Sequence, residues 1–284
     1  MPDRARVQVL ARHLRPLYDC VPNAPLLMWG LQSRVRNCQA AALLKRMTDQ
    51  RLITRTGNRI LSALSRPDFL LLEAHLRPVT LKFQQRLEAG DRKIKSVYFI
   101  ESGLVSVVGV GGVDRREAEV CVIGREGLTG LAVILGVDRS PTEIVVQVKG
   151  TAKCIAADAL RQALDQSSSL MSCLLRYVQL YVVQVGHTAI ANARGKIDER
   201  LARWLLMAHD RSDADALALT HEFLALILGV RRAGVTAALN ELEARALIST
   251  KRGCITIADR QGLEAAANGL YGVPEAEFKR LFPG

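Results

Sequence analysis

The sequence predicts an α+β chain in which a β-rich N-terminal region, a long helix and a C-terminal winged helix-turn-helix follow one another. Three observations carry this expectation. Short, branched, glycine-punctuated runs fill residues 79 to 155; an unbroken helical pattern runs from about 167 to 192; and Thr220 to Ile257 reads THEFLALILGVRRAGVTAALNELEARALISTKRGCITI. A chain of 284 residues suits two domains with connectors.

Residues 1–57 form a basic N-terminal extension. Helical pieces such as Val7 to Leu17 and Gln39 to Leu52 are broken by Pro16, Pro22 and Pro25. Residues 1–46 hold Arg4, Arg6, Arg12, Arg15, Arg34, Arg36, Lys45 and Arg46 against Asp3 and Asp19, a surplus of six out of the net charge of +11. That composition fits a DNA-contacting arm, a loosely packed or disordered extension, or a segment not made in the cell. Met47 opens MTDQRLITRTGNRILSAL, which reads as a natural chain start.

Residues 58–166 form the β-rich domain, entered through short helices patterned by Ile60, Leu61, Leu64, Phe69, Leu72 and Leu76. The predicted strands are Val79-Leu81-Phe83, Ser96 to Ile100, Leu104 to Val108, Glu119 to Ile123, Ile144 to Val148 and Ala152 to Ile155, with Gly103, Gly124, Gly130, Gly136 and Gly150 among the corners. Many short strands with glycine corners make a β-roll or barrel. No βαβ alternation, GxGxxG or glycine-lysine phosphate loop occurs, which removes dinucleotide and P-loop chemistry.

Residues 167–195 supply a long helix and a hinge. Ser167 to Ser169 can cap the helix, which would extend roughly 40 Å at 1.5 Å per residue. Its stripe of Leu170, Leu174, Tyr177, Tyr181, Val185 and Thr188 is wider than one roll would cover, so this face is expected to pair in a symmetric dimer, with His187 an interface residue. Gly195 breaks the pattern.

Residues 196–258 form the winged domain. It starts with IDERLARWLLMAH, passes through an acidic loop at Asp210 to Asp215, and reaches Thr220, a natural N-cap for the run FLALIL. Gly229 suits the sharp turn, since glycine alone reaches positive φ without strain. Ala225 and Val235 suit a tight helix crossing, the first slim and the second filling. The second helix puts Val235, Ala238, Leu239, Leu242 and Ala246 on one face and Arg231, Arg232, Ala233, Thr236, Ala237 and Asn240 on the other. The turn Lys251-Arg252-Gly253 and the alternation Cys254 to Ile257 add a hairpin, which a plain helical hairpin with a solvated basic face would not have. Residues 259–284 close the chain as a helical tail.

The charge of +11 favours a polyanionic partner, because each cation placed on a phosphate releases a counterion. Aromatic residues make up 5% of the chain, too few for a surface that stacks single-stranded bases. Cys20, Cys38, Cys121, Cys154, Cys173 and Cys254 are scattered without close spacing, so no metal site, iron-sulfur cluster or disulfide framework is expected. His75, His187, Cys121 and Cys154 are the candidates for haem or thiol sensing, but lone residues of these types in apolar settings are usually core. No run approaches the ~20 apolar residues of a membrane span, no signal peptide is evident, and no acid, base or nucleophile falls at a catalytic spacing. A cytoplasmic, non-enzymatic protein is expected.

With these elements placed, the chain from about Asn58 to Ile257 resembles the CRP/FNR family of bacterial transcription regulators. LEAGDRKIKSVYFIESGLVSVV, the VIGREG corner, IDERLARWLL and LTHEFLALILGVRRAGVTAAL carry the resemblance. It implies a double-stranded, jelly-roll β-roll of the cyclic-nucleotide-binding type as sensor, dimerisation through the long helix, and a recognition helix in the major groove of an inverted-repeat operator, with RNA polymerase a further candidate partner. The family's base-reading arginine falls on Arg232, with Arg231, Thr236 and Asn240 beside it and Thr220, His221, Lys251 and Arg252 placed for phosphates. Ala233 and Ala237 stand where the best-known member has Glu and Arg.

The resemblance also locates a ligand pocket at Gly124, Arg125, Glu126, Gly127, Arg139, Ser140 and Glu143. There the expected Gly-Glu pair is read as Gly124-Arg125-Glu126, and the phosphate-gripping Arg-Ser pair falls on Glu143-Ile144, four residues after Arg139-Ser140. A carboxylate facing a phosphate is repulsive, so cyclic AMP is not expected to bind in the usual manner and the cofactor is left open. The competing expectation is a small-molecule or cyclic-nucleotide receptor whose winged domain docks protein.

Overall fold

The computed structural model describes residues 56–111, 116–212 and 214–283. The N-terminal helical pieces, the basic cluster before residue 47, the Met47 start, Cys20 and Cys38 lie outside the described residues. Two short helices lead in, α1 (Arg59–Ala63) and α2 (Arg66–Glu73), capped by the side chains of Asn58 and Ser65. Asn58 is fully buried, and its Nδ2 donates to the carbonyls of Ile100 (2.8 Å) and Gly127 (2.7 Å), stitching α1 to the sheet.

The five strands β1 (Arg77–Leu81), β2 (Arg86–Glu88), β3 (Ser96–Gly111), β4 (Arg116–Ile123) and β5 (Glu143–Ala156) are antiparallel, in the order β1-β5-β3-β4 with β2 also on β5. Helix α3 (Leu131–Ile134) interrupts the path from β4 to β5. The α+β class and the antiparallel N-terminal sheet agree with the sequence, but two strand boundaries do not. Gly103 and Gly150 were expected at corners; instead they lie inside single strands of 16 and 14 residues that pair with each other along their length. The register shifts on either side of Ser102, so the chain bends through a bulge without breaking the ladder. Gly103 takes a φ of +84°, and a Cβ on Gly150 would stand 2.1 Å from the Ser102 carbonyl oxygen. Phe83, expected in the first strand, lies beyond it and is 60% exposed.

After α4 (Ala157–Gln166), helix α5 (Ser168–Arg194) runs for 27 residues from its Ser167 cap. The stripe expected to meet a partner faces inward. Leu170, Leu174 and Tyr177 are buried in the chain's own core, and Tyr177 Oη donates to the Leu128 carbonyl at 3.0 Å. Tyr181 and Val185 pack against the sheet, while Thr188 Oγ1 donates to the Gln184 carbonyl and accepts from Arg203 Nη2. The physical reason is that the open side of the roll needs a lid, and this stripe is the apolar surface that supplies it. Outside stand Leu175, Gln179, Val182, Gly186, Ala189 and Ala193.

Gly195 ends α5 at an ordinary φ of −79°; its lack of a side chain makes room, since a Cβ would stand 2.7 Å from Leu270 Cδ1. The C-terminal part comprises α6 (Ile197–His209), β6 (Ala216–Leu217), α7 (His221–Leu228), α8 (Arg232–Ala244), β7 (Ile248–Lys251), β8 (Cys254–Ile257), α9 (Arg260–Ala266) and α10 (Val273–Leu281), with a small sheet ordered β6-β8-β7.

This part is seated on the roll. Leu104 and Val122 of the sheet belong to the same apolar cluster as Leu201, Leu205, Leu224 and Leu239. Beside them, Trp204 Nε1 donates to Glu119 Oε1 at 2.6 Å, and Ser106 Oγ donates to Glu119 Oε2. Arg211 donates through Nε to Glu126 at 2.7 Å and through Nη1 to the Met207 carbonyl at 2.7 Å. Gln184 of α5 donates to the Val122 carbonyl at 2.8 Å and accepts from Arg211 Nη2 at 3.4 Å, so sheet, long helix and α6 share one buried polar network.

Burial pushes the Glu119 carboxyl up to about 7, against the opposing pull of Ser106, Trp204, Arg203 and Arg211. A raised folded pKa means the folded state holds the proton more tightly than the unfolded chain, so this contribution is full below the ordinary carboxylate range and fades as pH rises through about 7. Thermal or urea unfolding between pH 5 and 8 should therefore show a stability loss of up to about 1.4 kcal/mol per pH unit that is absent in Glu119→Gln. Gly150→Ala should cost about 1–3 kcal/mol in the same assay, because the added methyl meets backbone that cannot swing away.

Candidate nucleic-acid interface

Thr220 Oγ1 accepts from the Phe223 amide at 3.2 Å, which starts α7. Gly229 ends it at a φ of +62° with open space where a Cβ would be, so backbone conformation rather than room demands glycine here. Its amide and that of Val230 close the turn on the Leu226 and Ala225 carbonyls. Ala225 and Val235 are both buried, as the slim-then-filling pair required, and Phe223 meets Trp204 of α6 edge-on at 5.8 Å.

Helix α8 buries Val235, Ala238, Leu239 and Leu242 and exposes Arg231, Arg232, Ala233, Ala237 and Asn240. Ala246, expected on the buried face, lies beyond the helix and is exposed, at a φ of +57°, because the chain turns there toward the wing. Arg231 is the N-cap and Arg232 the first helical residue, so two guanidinium groups stand at the positive end of the helix dipole, an arrangement unfavourable to the helix itself that concentrates positive potential at its tip. Thr236 is half-buried: its Oγ1 donates to the Arg232 carbonyl at 3.2 Å and meets His221 Nδ1 at 3.0 Å. The residues expected to touch bases and phosphates thus include one pair, His221 and Thr236, that ties the two helices together.

Lys251 and Arg252 are exposed at the tip of the β7–β8 hairpin, where Gly253 takes a φ of +71°. Glu243 of α8 sets the hairpin's position by accepting from the Thr250 amide (2.6 Å) and Thr250 Oγ1 (2.8 Å), and these bonds, the amide first, hold its carboxyl below the usual range. Sequence reasoning missed Glu243; its signal was a carboxylate on the flank of the helix, seven residues before a wing threonine. It also missed Arg211, a lone cation in the loop read as acidic, which is only 7% exposed.

The residues of the expected ligand pocket are engaged by several different partners. The 124–127 corner is held by the start of α1 and by Arg211, two residues past α6: Arg59 N–H donates to the Arg125 carbonyl, Asn58 to the Gly127 carbonyl, and Glu126 accepts from Arg211. The 138–143 stretch is held elsewhere, with the Ser140 carbonyl accepting from the Asp91 amide, Arg139 paired with Asp138 at 3.0 Å, and Glu143 paired with Arg86 at 3.1 Å. Helix α3 lies on the chain between the two stretches. A cavity of about 260 Å³ does open beside the corner, and of the seven expected residues Glu126 alone lines it.

Residues 199–266 match the model of the Crp-like helix-turn-helix domain. No curated protein matches the chain. Among solved structures, a protein from Eubacterium rectale described as a transcriptional regulator of the CRP/FNR family is 19% identical, with 72% of this chain and 96% of that one covered and a TM-score of 0.59. FixK2 from Bradyrhizobium japonicum is 16% identical over 67% of this chain and 96% of its own, with a TM-score of 0.57. A CRP-family transcriptional regulator from Thermus thermophilus is 19% identical over 67% and 97%, with a TM-score of 0.56. At these identities the likeness is one of fold. The chain therefore carries a Crp-like helix-turn-helix domain at residues 199–266, on the fold of the CRP/FNR transcription regulators.

Proposed function

We propose that this chain regulates transcription as a homodimer that binds double-stranded DNA through α8. The observation that carries the reading is the pair Arg231 and Arg232, exposed at the start of a helix whose opposite face is buried, with Asn240 on the same outer side and a basic wing turn held to it through Glu243. A helix end bearing two guanidinium groups suits major-groove entry, where arginine makes bidentate contact with guanine O6 and N7. Thr220, Lys251 and Arg252, all exposed, suit phosphates on either side. The similar proteins named as transcriptional regulators support the same reading.

The dimer seam is assigned to the outer face of α5. Leu175, Gln179, Val182, Gly186, Ala189 and Ala193 alternate in steps of four and three, the spacing of a coiled-coil seam, and the small residues at its C-terminal half allow close approach. A twofold pair presents two α8 helices, which an inverted-repeat operator matches. The roll is read as a sensor that does not grip cyclic AMP in the family's usual manner, because Arg139 is engaged by Asp138, and Glu143 by Arg86.

Binding to an operator selected from random duplexes tests the first part. Arg232→Ala should weaken it by about 1–3 kcal/mol while leaving salt-sensitive binding to any duplex; unchanged operator affinity would remove Arg232 from the recognition role. In sedimentation, Val182→Glu should shift the protein to monomer, since it places like charges across the seam, and a dimer as tight as the parent would put the seam elsewhere.

A further inference from the structure

The cavity beside Glu126 lies where four segments meet. The lead-in helix contributes Arg59, the long helix Leu180 and Gln184, the end of α6 Asp210 and Arg211, and the C-terminal tail Arg260, Tyr271 and much of α10. Pockets at such junctions are common ligand sites. At about 260 Å³ the volume lies just below the roughly 300–1,000 Å³ of drug-sized sites, which restricts an occupant to something near the size of benzoate.

The lining is polar on one side and apolar on the other. Leu180, Pro274 and Phe278 make the apolar part. Of the lining cations, Arg211 is engaged by Glu126 at 2.7 Å, and Arg260 by Asp210 at 2.7 Å and Tyr271 Oη at 2.8 Å. Arg59 and Lys279 are different. Both are exposed, and Arg59 lies over the Phe278 ring at 5.6 Å rather than on a carboxylate. The remaining acid, Glu275, already accepts from the Gly272 amide at 3.1 Å. After these pairings the lining keeps a surplus of one positive charge beside an apolar wall.

We propose that this cavity is a binding site for a small organic monocarboxylate, its carboxylate on Arg59 and Lys279 and its apolar body against Leu180 and Phe278. The site stands apart from the DNA-binding reading, since none of the residues that line it belongs to α7, α8 or the wing. An occupant would touch the lead-in helix, α5, α6 and α10 together, so its binding energy would add to the contacts that seat the winged part on the roll.

Calorimetry and thermal melting of the full chain with sodium benzoate, sodium hexanoate and the uncharged benzamide test the proposal. Benzoate and hexanoate should bind once per chain in the millimolar range and raise the melting temperature, with benzamide weaker by roughly tenfold for want of the charged contact. Arg59→Ala with Lys279→Ala should lose roughly tenfold in benzoate affinity while melting like the parent without ligand. If that double variant does not fold, Lys279→Glu alone, at an exposed position, should lose benzoate binding through repulsion. Absence of heat and melting shift with millimolar benzoate, equal binding of benzamide, or full affinity in the variants would overturn the assignment.

Discussion

Ile100 and Ile123 of the sheet, and Leu128 just beyond β4, present apolar side chains that the inner face of α5 covers, Tyr181 and Val185 packing on the cluster of the two isoleucines. Leu170, Leu174 and Tyr177 are buried in one cluster with Leu128, and the Tyr177 hydroxyl donates to the Leu128 carbonyl. Fully burying a side chain of this kind stabilises by about 1.5–3 kcal/mol, so four or five of them set the orientation of the whole helix. Once that rotation is chosen, the opposite face of α5 is outside, and its end at Gly195 leads into α6, whose Trp204 reaches Glu119 of β4.

From that placement follows the buried polar network. A carboxylate and an arginine removed from water are costly unless each finds partners, and removing one partner is worse than replacing both. Glu126 and Arg211 satisfy each other, Gln184 bridges α5 to the sheet, and Glu119 holds the Trp204 indole. These contacts connect the roll to the helix that supports α7 and α8, so the arginine pair at the start of α8 is positioned by groups more than a hundred residues earlier in the chain.

The local devices were readable because each rests on a neighbour in sequence. The Thr220 cap, the positive φ of Gly229, the buried Ala225 and Val235 and the hairpin turn at Gly253 depend on chemistry within a few residues. The strand boundaries were less readable. Gly103 and Gly150 look like corners along the chain, but they face one another across paired strands, where two glycines permit a shared bulge. The partners of the expected ligand stretch were equally unreadable: Gly124 to Gly127 and Arg139 to Glu143 are close in sequence, with α3 between them, yet their hydrogen bonds and ion pairs go to different elements.

What the sequence determined by itself was therefore the order of elements, the α+β class and the outward set on α8, since propensity, capping and periodicity are short-range. Which stripe of α5 is inside, which carboxylates pair with Arg211 and Arg86, and where a cavity opens were decided only by the tertiary structure. An apolar stripe carries no mark of what will cover it, and a buried charge no mark of its partner; both are chosen by shape and by the cost of leaving a surface or a charge unmatched.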